Sequence, residues 1–353
     1  MILAFGGEAL AQCGGGPVIV GPGPNCSISS TTTNDHLSGQ AALLDAGSQF
    51  MQRFNALYSF RSGANAANNP QGGGADAGAE QRHRAWLEGY GQSSRTDAQN
   101  TFPGDRRRMW GVVAGGGVTF APGVTVGVSV DQSRTKVDIT NAAQDGRIDL
   151  TQFGAIASFE RGPWNFGATL IHGIGRVHTH RLDAVGASVA AYDAKLWGAM
   201  AELSYFWSLP NNSRIVPKLT FDWAHARTDA FTETGGALPL AGASVGATRV
   251  RMLVGAEVGH SWLVDRTIMD VSVYGRLVDN LTQNFGSLQI TDTTGVNLPT
   301  VATAIRESTL GADAGAALSA KVSETLRLYA IYDGRFRSNF TSHSGTFGAE
   351  FRF

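Results

Sequence analysis

The chain has 353 residues, a net charge of −1 and 16% charged residues. This low and balanced charge gives no electrostatic basis for binding nucleic acid. No segment approaches the roughly 18 to 20 consecutive apolar residues that a membrane-spanning helix needs, so a membrane-embedded form of this chain would have to cross the bilayer with strands.

The N-terminal segment, residues 1–35, has the features of an exported chain. Ala9-Leu10-Ala11 fits a signal cleavage site, and Met1 to Phe5 fits the end of the apolar region before it. No basic stretch precedes that region, so we expect either a start further upstream or a clipped signal. Residues 12–35 are rich in Gly, Pro, Ser, Thr and Asn, which favours an irregular segment.

An amphipathic helix is predicted over residues 36–60. Leu43, Phe50, Phe54 and Leu57 recur at helical spacing, and polar residues such as Asp45 and Arg53 occupy other faces of the helix. Residues 61–81 form a low-complexity stretch of Gly, Ala, Asn and Gln that lacks the apolar residues for a core. This composition predicts a linker.

From residue 82 to the C-terminus the hydrophobic period is two, which predicts strands. In residues 124–130, for example, Val alternates with Thr, Gly and Ser. Several segments reach the roughly 9 to 11 residues that a tilted strand needs to cross a bilayer. We predict twelve strands, at residues 85–95, 108–120, 124–138, 147–160, 164–180, 189–208, 214–230, 245–263, 267–280, 307–321, 326–338 and 343–353.

The connections between these strands alternate in length. Tight turns such as Ala121-Pro122-Gly123 and Arg161-Gly162-Pro163 alternate with mostly longer polar loops, the longest near residues 281–306. Outer-membrane barrels have short periplasmic turns and long extracellular loops. A soluble β-sandwich or propeller would explain the alternation but not this asymmetry together with the strand length. The sequence therefore predicts a twelve-stranded antiparallel transmembrane β-barrel with both of its ends in the periplasm.

This pattern resembles the translocator β-domain of monomeric autotransporters, the proteins of type V secretion. The resemblance covers about residues 36–353 as a helix, a linker, twelve strands and a C-terminal Phe. The last strand is similar to the signal that the barrel-assembly machinery reads, a polar residue followed by Gly-x-x-aromatic-x-aromatic. In this chain the signal would comprise Thr346, Gly348, Phe351 and Phe353, with the rings towards lipid and Glu350 and Arg352 towards the lumen.

The resemblance implies a location in the Gram-negative outer membrane, with the predicted helix in the barrel lumen and an N-terminal passenger exported to the cell surface. It also implies that the barrel is a monomer whose partners are outer-membrane lipid, the barrel-assembly machinery and its own N-terminal segment. Family passengers have hundreds of residues, whereas residues 12–35 alone precede the helix here. We therefore expect a minimal or a missing passenger.

Alternation also predicts which charged residues face the lumen, where charges must be wet or paired. Pairs across strands, or with Asp45 and Arg53 of the helix, would satisfy them. The candidates are Glu88, Asp131, Lys218, Asp222, Arg249, Arg251, Glu257, Asp270, Arg276, Asp313, Arg327, Glu350 and Arg352.

We predict no cofactor, metal or catalytic site. Cys13 and Cys26 could form a disulfide in an oxidising compartment or remain free. His178 and His180 share a strand face, but no Cys, Asp or Glu at useful spacing completes a metal site. Two alternatives stay open at this point, namely a porin-like channel and a hydrolase embedded in the barrel, which would need Ser or Asp beside His at one rim.

Overall fold

The computed structural model describes residues 34–68, 82–99, 102–182, 186–236, 238–265, 267–293, 300–302 and 306–353. The predicted signal cleavage site, Cys13 and Cys26 lie outside these residues, and so does the second part of the predicted linker, residues 69–81.

Twelve long antiparallel strands close into a barrel, which confirms the predicted fold. Each follows its neighbour in sequence around the barrel, and the last strand pairs with the first. These strands are β1 (His83–Thr96), β2 (Asp105–Ala121), β3 (Val124–Ile139), β4 (Gln144–Arg161), β5 (Trp164–Leu182), β6 (Ala187–Tyr205), β8 (Ser213–Thr228), β11 (Val245–Val264), β12 (Thr267–Phe285), β15 (Leu310–Lys321), β16 (Leu326–Arg337) and β17 (Phe340–Arg352).

Five short strands complete the described structure. β7 (Trp207–Leu209) continues the edge of β6 beside β8. The other four form a separate small sheet in two of the loops, and they are β9 (Phe231–Thr232), β10 (Leu240–Gly242), β13 (Leu288–Asp292) and β14 (Thr300–Ala302).

Alternation along the strands separates an apolar outer face from an inner face with many polar groups. Leu87, Val128 and Leu170 point outwards and are 59%, 64% and 64% exposed. Their sequence neighbours Glu88, Ser129 and Thr169 point inwards and are buried. In a bilayer the outer face contacts lipid, and closure leaves no strand edge unpaired in the hydrocarbon region.

The turns at the end of the barrel that holds the C-terminus are tight, and their backbone needs residues that tolerate positive φ. Gly123 has φ 74°, and a Cβ there would lie 2.2 Å from the carbonyl oxygen of Glu160. Asn211, Asn212 and Asp265 adopt positive φ in the corresponding turns, as Asn and Asp can. The small loop sheet lies at the opposite end, which is the extracellular end in a barrel with short periplasmic turns and long outer loops.

One helix, α1 (Asn34–Asn68), fills the barrel lumen. It begins two residues before the predicted start and continues eight residues past the predicted end at residue 60, so the first part of the predicted linker is helical. Its first turn lies under the extracellular loop sheet, where His36 stacks on Phe231. Phe54, further along, lies beside Trp86 near the start of β1. The helix therefore runs from the extracellular end towards the periplasmic end.

The apolar face of α1 packs against an apolar part of the lumen wall. Leu43, Leu44, Phe50 and Met51 are fully buried in one cluster with wall residues from β4, β5 and β6. Those wall residues include Ile148, Leu150, Ile171, Val177 and Leu196. Since burying a large aliphatic or aromatic side chain contributes about 1.5–3 kcal/mol, this face provides most of the non-directional attraction between helix and barrel.

Gly154 of β4 allows α1 to approach the wall. A Cβ at this position would lie 2.9 Å from Cε1 of Phe54 and 3.1 Å from Cε1 of Phe50. Gly89 of β1, in contrast, faces outwards with no atom within 4 Å of an added Cβ. The two glycines therefore allow the same substitution to be compared at a site that contacts α1 and at a site that does not.

We expect Gly154→Val to lower the thermal unfolding midpoint of the folded barrel, because overpacking a core costs about 1–3 kcal/mol. Gly89→Val makes the same chemical change without a clash, and Val is the better strand former, so its midpoint should stay or rise. Circular dichroism melts of both variants in detergent measure the difference. Equal melting of the two variants would show that α1 does not press on this part of the wall.

Candidate functional site: the pore and its helix

The extracellular end of α1 is enclosed by rings and a buried carboxylate. The His36 ring lies 3.7 Å from the Phe231 ring centre, and its Nδ1 lies 2.9 Å from the Tyr192 hydroxyl. Its Nε2 lies 3.8 Å from the carboxylate of Glu233. Arg181 of β5 donates to Glu233 at 2.5 Å. These contacts hold the first turn of the helix against the loop that covers the pore.

Asp45 connects the middle of the described helix to opposite sides of the lumen. Its Oδ2 accepts a hydrogen bond from Arg107 at 2.9 Å, and its Oδ1 accepts one from Arg249 at 3.0 Å. Arg249 also donates to the carbonyl oxygen of Leu44 and to Ser48, and thus contacts a full turn of α1. The Arg107 and Arg249 side chains are 4% and 1% exposed, so these are buried charges.

Both arginines have a second carboxylate partner on the barrel. Arg107 pairs with Asp105 at 2.7 Å, and Arg249 pairs with Glu307 at 2.7 Å. A buried charge that loses its partner costs several kcal/mol. Each arginine thus has one carboxylate partner on the barrel itself. Asp45 provides the second partner of both arginines, and it does so only when α1 is in this position.

Arg53, about two turns further on, contacts β1 and β3. Its guanidinium carbon lies 3.5 Å above the ring centre of Tyr90, a favourable cation–π geometry. The Tyr90 hydroxyl donates to Asp131 at 2.7 Å, and Arg53 approaches the same carboxylate at 3.8 Å. Gln49, one turn earlier, accepts from Arg53 at 3.1 Å. Both helix charges that the sequence singled out, Asp45 and Arg53, therefore face partners on the wall.

All thirteen lumen candidates lie on the inner face or at its rim. Ten are buried, and the side chains of Lys218, Arg276 and Arg352 are 14%, 14% and 19% exposed. Most of them pair with charged side chains of the same strand or of strands one or two positions away, and Glu88 accepts from the Tyr329 hydroxyl. The pairs are Arg251 with Asp222, Lys218 with Glu257, Arg276 with Asp313, Arg327 and Arg352 with Glu350, and Asp270 with Arg214.

A polar cavity of about 70 Å³ lies between α1 and the wall on the side of β12, β15 and β16. Gln52 and Arg53 line it from the helix, and Lys218, Tyr274 and Arg335 line it from the barrel. A single water needs about 10–15 Å³ by this measure, so the cavity has room for several. The lumen is therefore closely packed against the apolar face of α1 and has room for water on the other side of the helix.

The C-terminal strand has the orientation that the sequence predicted. Phe347, Phe351 and Phe353 point outwards and are 64%, 48% and 67% exposed, while Thr346 and Glu350 are buried on the inner face. The Phe353 backbone exchanges hydrogen bonds with His83 across the barrel closure. The geometry leaves the rings accessible from the membrane, and recognition of this strand by an assembly factor stays a prediction.

The alternation rule missed several lumen charges. Arg335 and Arg337 flank the outward Phe336 and face inwards, so the alternation of this strand could have predicted both. Arg107 lies between two other arginines and before the predicted start of its strand, so its direction was ambiguous. Arg181 and Glu233 come together only through a loop contact that no local pattern predicts.

Among the described residues, no helix has the length and apolar character needed to span a membrane. No group of His, Cys, Asp and Glu in the same part of the chain has the arrangement of a metal site. Ser213 and His260 lie 3.0 Å apart, but both are on the outward side at the periplasmic end. The buried polar groups instead fit a pore that holds a polypeptide.

Comparison with known proteins connects this geometry to a family. The family model described as autotransporter beta-domain matches residues 85–333. The translocator domain of the autotransporter NalP from Neisseria meningitidis is 14% identical, with a TM-score of 0.63 over 86% of this chain and 98% of that chain. The β domain of the Bordetella autotransporter BrkA is 16% identical, with a TM-score of 0.58 over 77% of this chain and 100% of that chain. No curated protein sequence matches.

We expect Asp45→Asn to loosen α1 in the pore. Removing one partner of a buried ion pair costs about 3–5 kcal/mol, and the second partners of Arg107 and Arg249 place this change at the lower end of that range. Planar-bilayer recordings should show more frequent and larger openings than the original barrel shows. Asp229→Asn removes an exposed carboxylate and should leave the openings unchanged. Identical recordings for the two variants would contradict the role of Asp45.

The loop that holds Glu233 should respond to acid. Burial alone would raise the pKa of Glu233, but its contacts with His36 and Arg181 outweigh burial and lower the pKa. The carboxylate therefore stabilises the loop above its unfolded pKa of about 4.3, and this contribution is lost as the pH falls through the folded value.

Limited proteolysis of residues 229–244 measures that contribution. We expect cleavage to accelerate below about pH 4.3, and Glu233→Gln to be cleaved faster than the original protein at neutral pH. Asp229→Asn changes an exposed carboxylate of the same loop and serves as the control. Unchanged protection of the Glu233 variant at neutral pH would contradict the proposed contact.

Proposed function

This chain belongs to the autotransporter β-domain family, and on that premise we propose that its barrel exports an N-terminal segment and then keeps α1 in the pore. The barrel is a translocator of the Gram-negative outer membrane. The proposal concerns what passes through it and what remains in the lumen after transport.

The direction of α1 is the observation that carries the proposal. The first turn lies beside Phe231 and Tyr192 at the loop end, and Phe54 lies beside Trp86 near the periplasmic start of β1. A 35-residue helix spans about 52 Å at 1.5 Å per residue, which is enough to traverse the outer membrane. The chain before Asn34 therefore starts from the extracellular mouth, as export requires.

The fit of helix to lumen favours a translocator over a porin-like channel. α1 is buried on nearly all sides from Asn34 to Leu57, and its contacts involve both apolar packing and the Asp45 ion pairs. A helix with its side chains is about 10–12 Å across, so it occupies most of the lumen. The enzyme alternative has no support in the described lumen, which pairs its acids with arginines and lysines.

Other parts of the chain take their roles from this proposal. The chain enters the periplasm through the signal that ends at Ala9-Leu10-Ala11. α1 (Asn34–Asn68) then acts as the pore helix, and the rest of the predicted linker, up to residue 81, joins it to the barrel of residues 82–353. The strand with Thr346, Gly348, Phe351 and Phe353 presents the signal for the barrel-assembly machinery. The closed barrel works as a monomer, because closure leaves no strand edge for a second copy.

A protease added to intact cells tests the direction of export. One recognition site is inserted after residue 30, a second after Asn141 in the extracellular loop between β3 and β4, and a third in the periplasmic turn at residues 322–325. We expect cleavage at the first two sites, no cleavage at the third, and retention of the barrel in the outer membrane. Protection of the site after residue 30 while the loop site is cut would overturn the proposal.

A further inference from the structure

The outward faces of β2, β3, β4 and β5 carry a row of basic side chains that transport through the lumen does not use. Strand pairing places Arg108 beside Lys136, Lys136 beside Arg147, and Arg147 beside His178. Each lies between two inward-facing residues and points away from the barrel. We call these four residues the basic row.

The basic row lies just beyond the apolar belt, on the extracellular side. The next outward positions to compare lie four residues closer to the periplasm on each of these strands. There Val112 pairs with Gln132, and Thr151 pairs with Ile174. Val112 and Ile174 are 53% and 49% exposed and mark the end of the belt. Four residues extend about 13 Å along a strand, or about 10 Å along the membrane normal at a tilt of roughly 40°. The row is therefore at the depth of lipid headgroups.

The charge around the row is positive in excess. On the outward faces of β2 to β5 beyond the belt, six Lys or Arg side chains accompany three Asp side chains. Arg108 contacts Asp138, and Arg134 and Arg147 both contact Asp149. These pairs are exposed or partly exposed and thus weak, and the two acids leave an excess of positive charge. The six cations are Arg106, Arg108, Arg134, Lys136, Arg147 and Arg176, and the three acids are Asp138, Asp145 and Asp149.

The basic row is confined to one side of the barrel. Outward Lys or Arg side chains near the extracellular end also occur on the adjoining strands, as Arg95 of β1, Lys195 of β6 and Arg227 of β8. The described outward faces of the five remaining strands, β11, β12, β15, β16 and β17, have no Lys or Arg. A general need for solubility or for interfacial anchoring would place cations around the whole circumference. The one-sided placement points instead to a specific ligand.

We propose that the basic row binds the phosphate groups of a phosphorylated glycolipid in the outer leaflet, whose acyl chains lie against Val112, Phe153 and Ile174. The three Lys and Arg side chains of the row span three strands, about 10 Å at roughly 4.8 Å per strand, so the row can engage more than one phosphate. Trp110, 58% exposed between the belt and the row, provides an amphipathic ring at the boundary, where aromatic residues are favoured. This site is separate from the pore.

The test measures lipid binding to the purified, folded barrel by native mass spectrometry. The probes are a bis-phosphorylated glycolipid, the same lipid without phosphates, and inorganic phosphate. The test variant is Arg108→Gln with Lys136→Gln and Arg147→Gln. The control variant removes the same charge from outside the row, with Arg161→Gln, Arg306→Gln and Lys321→Gln.

We expect the original barrel and the control variant to bind the phosphorylated lipid equally. The test variant should bind it about 100-fold more weakly, since each cation near an anionic surface contributes roughly five-fold. Binding should also weaken as salt is raised. If the test variant does not fold, Lys136→Gln alone should weaken binding about five-fold.

Three outcomes would overturn the proposal. The first is equal affinity of the test variant and the original barrel for the phosphorylated lipid. The second is equal affinity of the original barrel for the lipid with and without phosphates, which would assign binding to the acyl chains. The third is binding of inorganic phosphate as tight as that of the lipid, which would identify a free-anion site.

Discussion

The position of α1 depends on Asp45, whose carboxylate lies between Arg107 and Arg249. The barrel projects these arginines into the lumen from opposite sides, and both are buried there, where an unpaired charge is costly. The apolar face of the helix would tolerate small displacements along the wall, because hydrophobic attraction has no direction. The ion pairs would not, since moving α1 by a turn would leave three charges without these partners. Packing therefore attracts the helix, and Asp45 fixes its position along the pore.

The barrel has different chemistry on different sides, inside as well as outside. Inside, the apolar residues of β4 to β6 hold the helix, while the cavity on the side of β12, β15 and β16 has room for water. A pore that first passes a polypeptide and then holds its last segment needs both properties, namely a wet path and a surface for one preferred occupant. Outside, the basic row on β2 to β5 contrasts with the outward faces of β12 and β15 to β17, which have no Lys or Arg in the described residues. The backbone hydrogen bonds of the barrel follow the same antiparallel pattern all round. The side chains can still differ from one side to another, because successive residues of a strand point to opposite faces and the two faces can carry different residues.

Alternation in the sequence was enough to predict the twelve strands, because one face of each strand contacts lipid and the period is strict. It also predicted that the side chains of charged residues such as Asp222 and Glu350 point into the lumen. It could not predict the apolar part of the lumen wall. Leu150 and Leu196 point inwards because they pack against the apolar face of α1, a distant part of the chain. The helix end was also missed: residues 61–68 have no apolar period, yet extending an existing helix costs much less than starting one. Contacts such as Arg181 with Glu233 depend on how a loop folds over the pore.

A cysteine cross-link in intact outer membranes tests most directly whether α1 lies in the pore in this position. A Cβ at Gly39 would lie 3.8 Å from Cγ1 of Val177, one bond beyond the Val177 Cβ, so cysteines at the two positions need only a small adjustment to reach the disulfide geometry. With Cys13 and Cys26 replaced by Ser, the pair Gly39→Cys and Val177→Cys should form a disulfide. Gly39→Cys with Gly89→Cys, on the outward face of β1, should not. Absence of the first cross-link in folded, membrane-inserted protein, or equal formation of both, would contradict a helix held in the lumen.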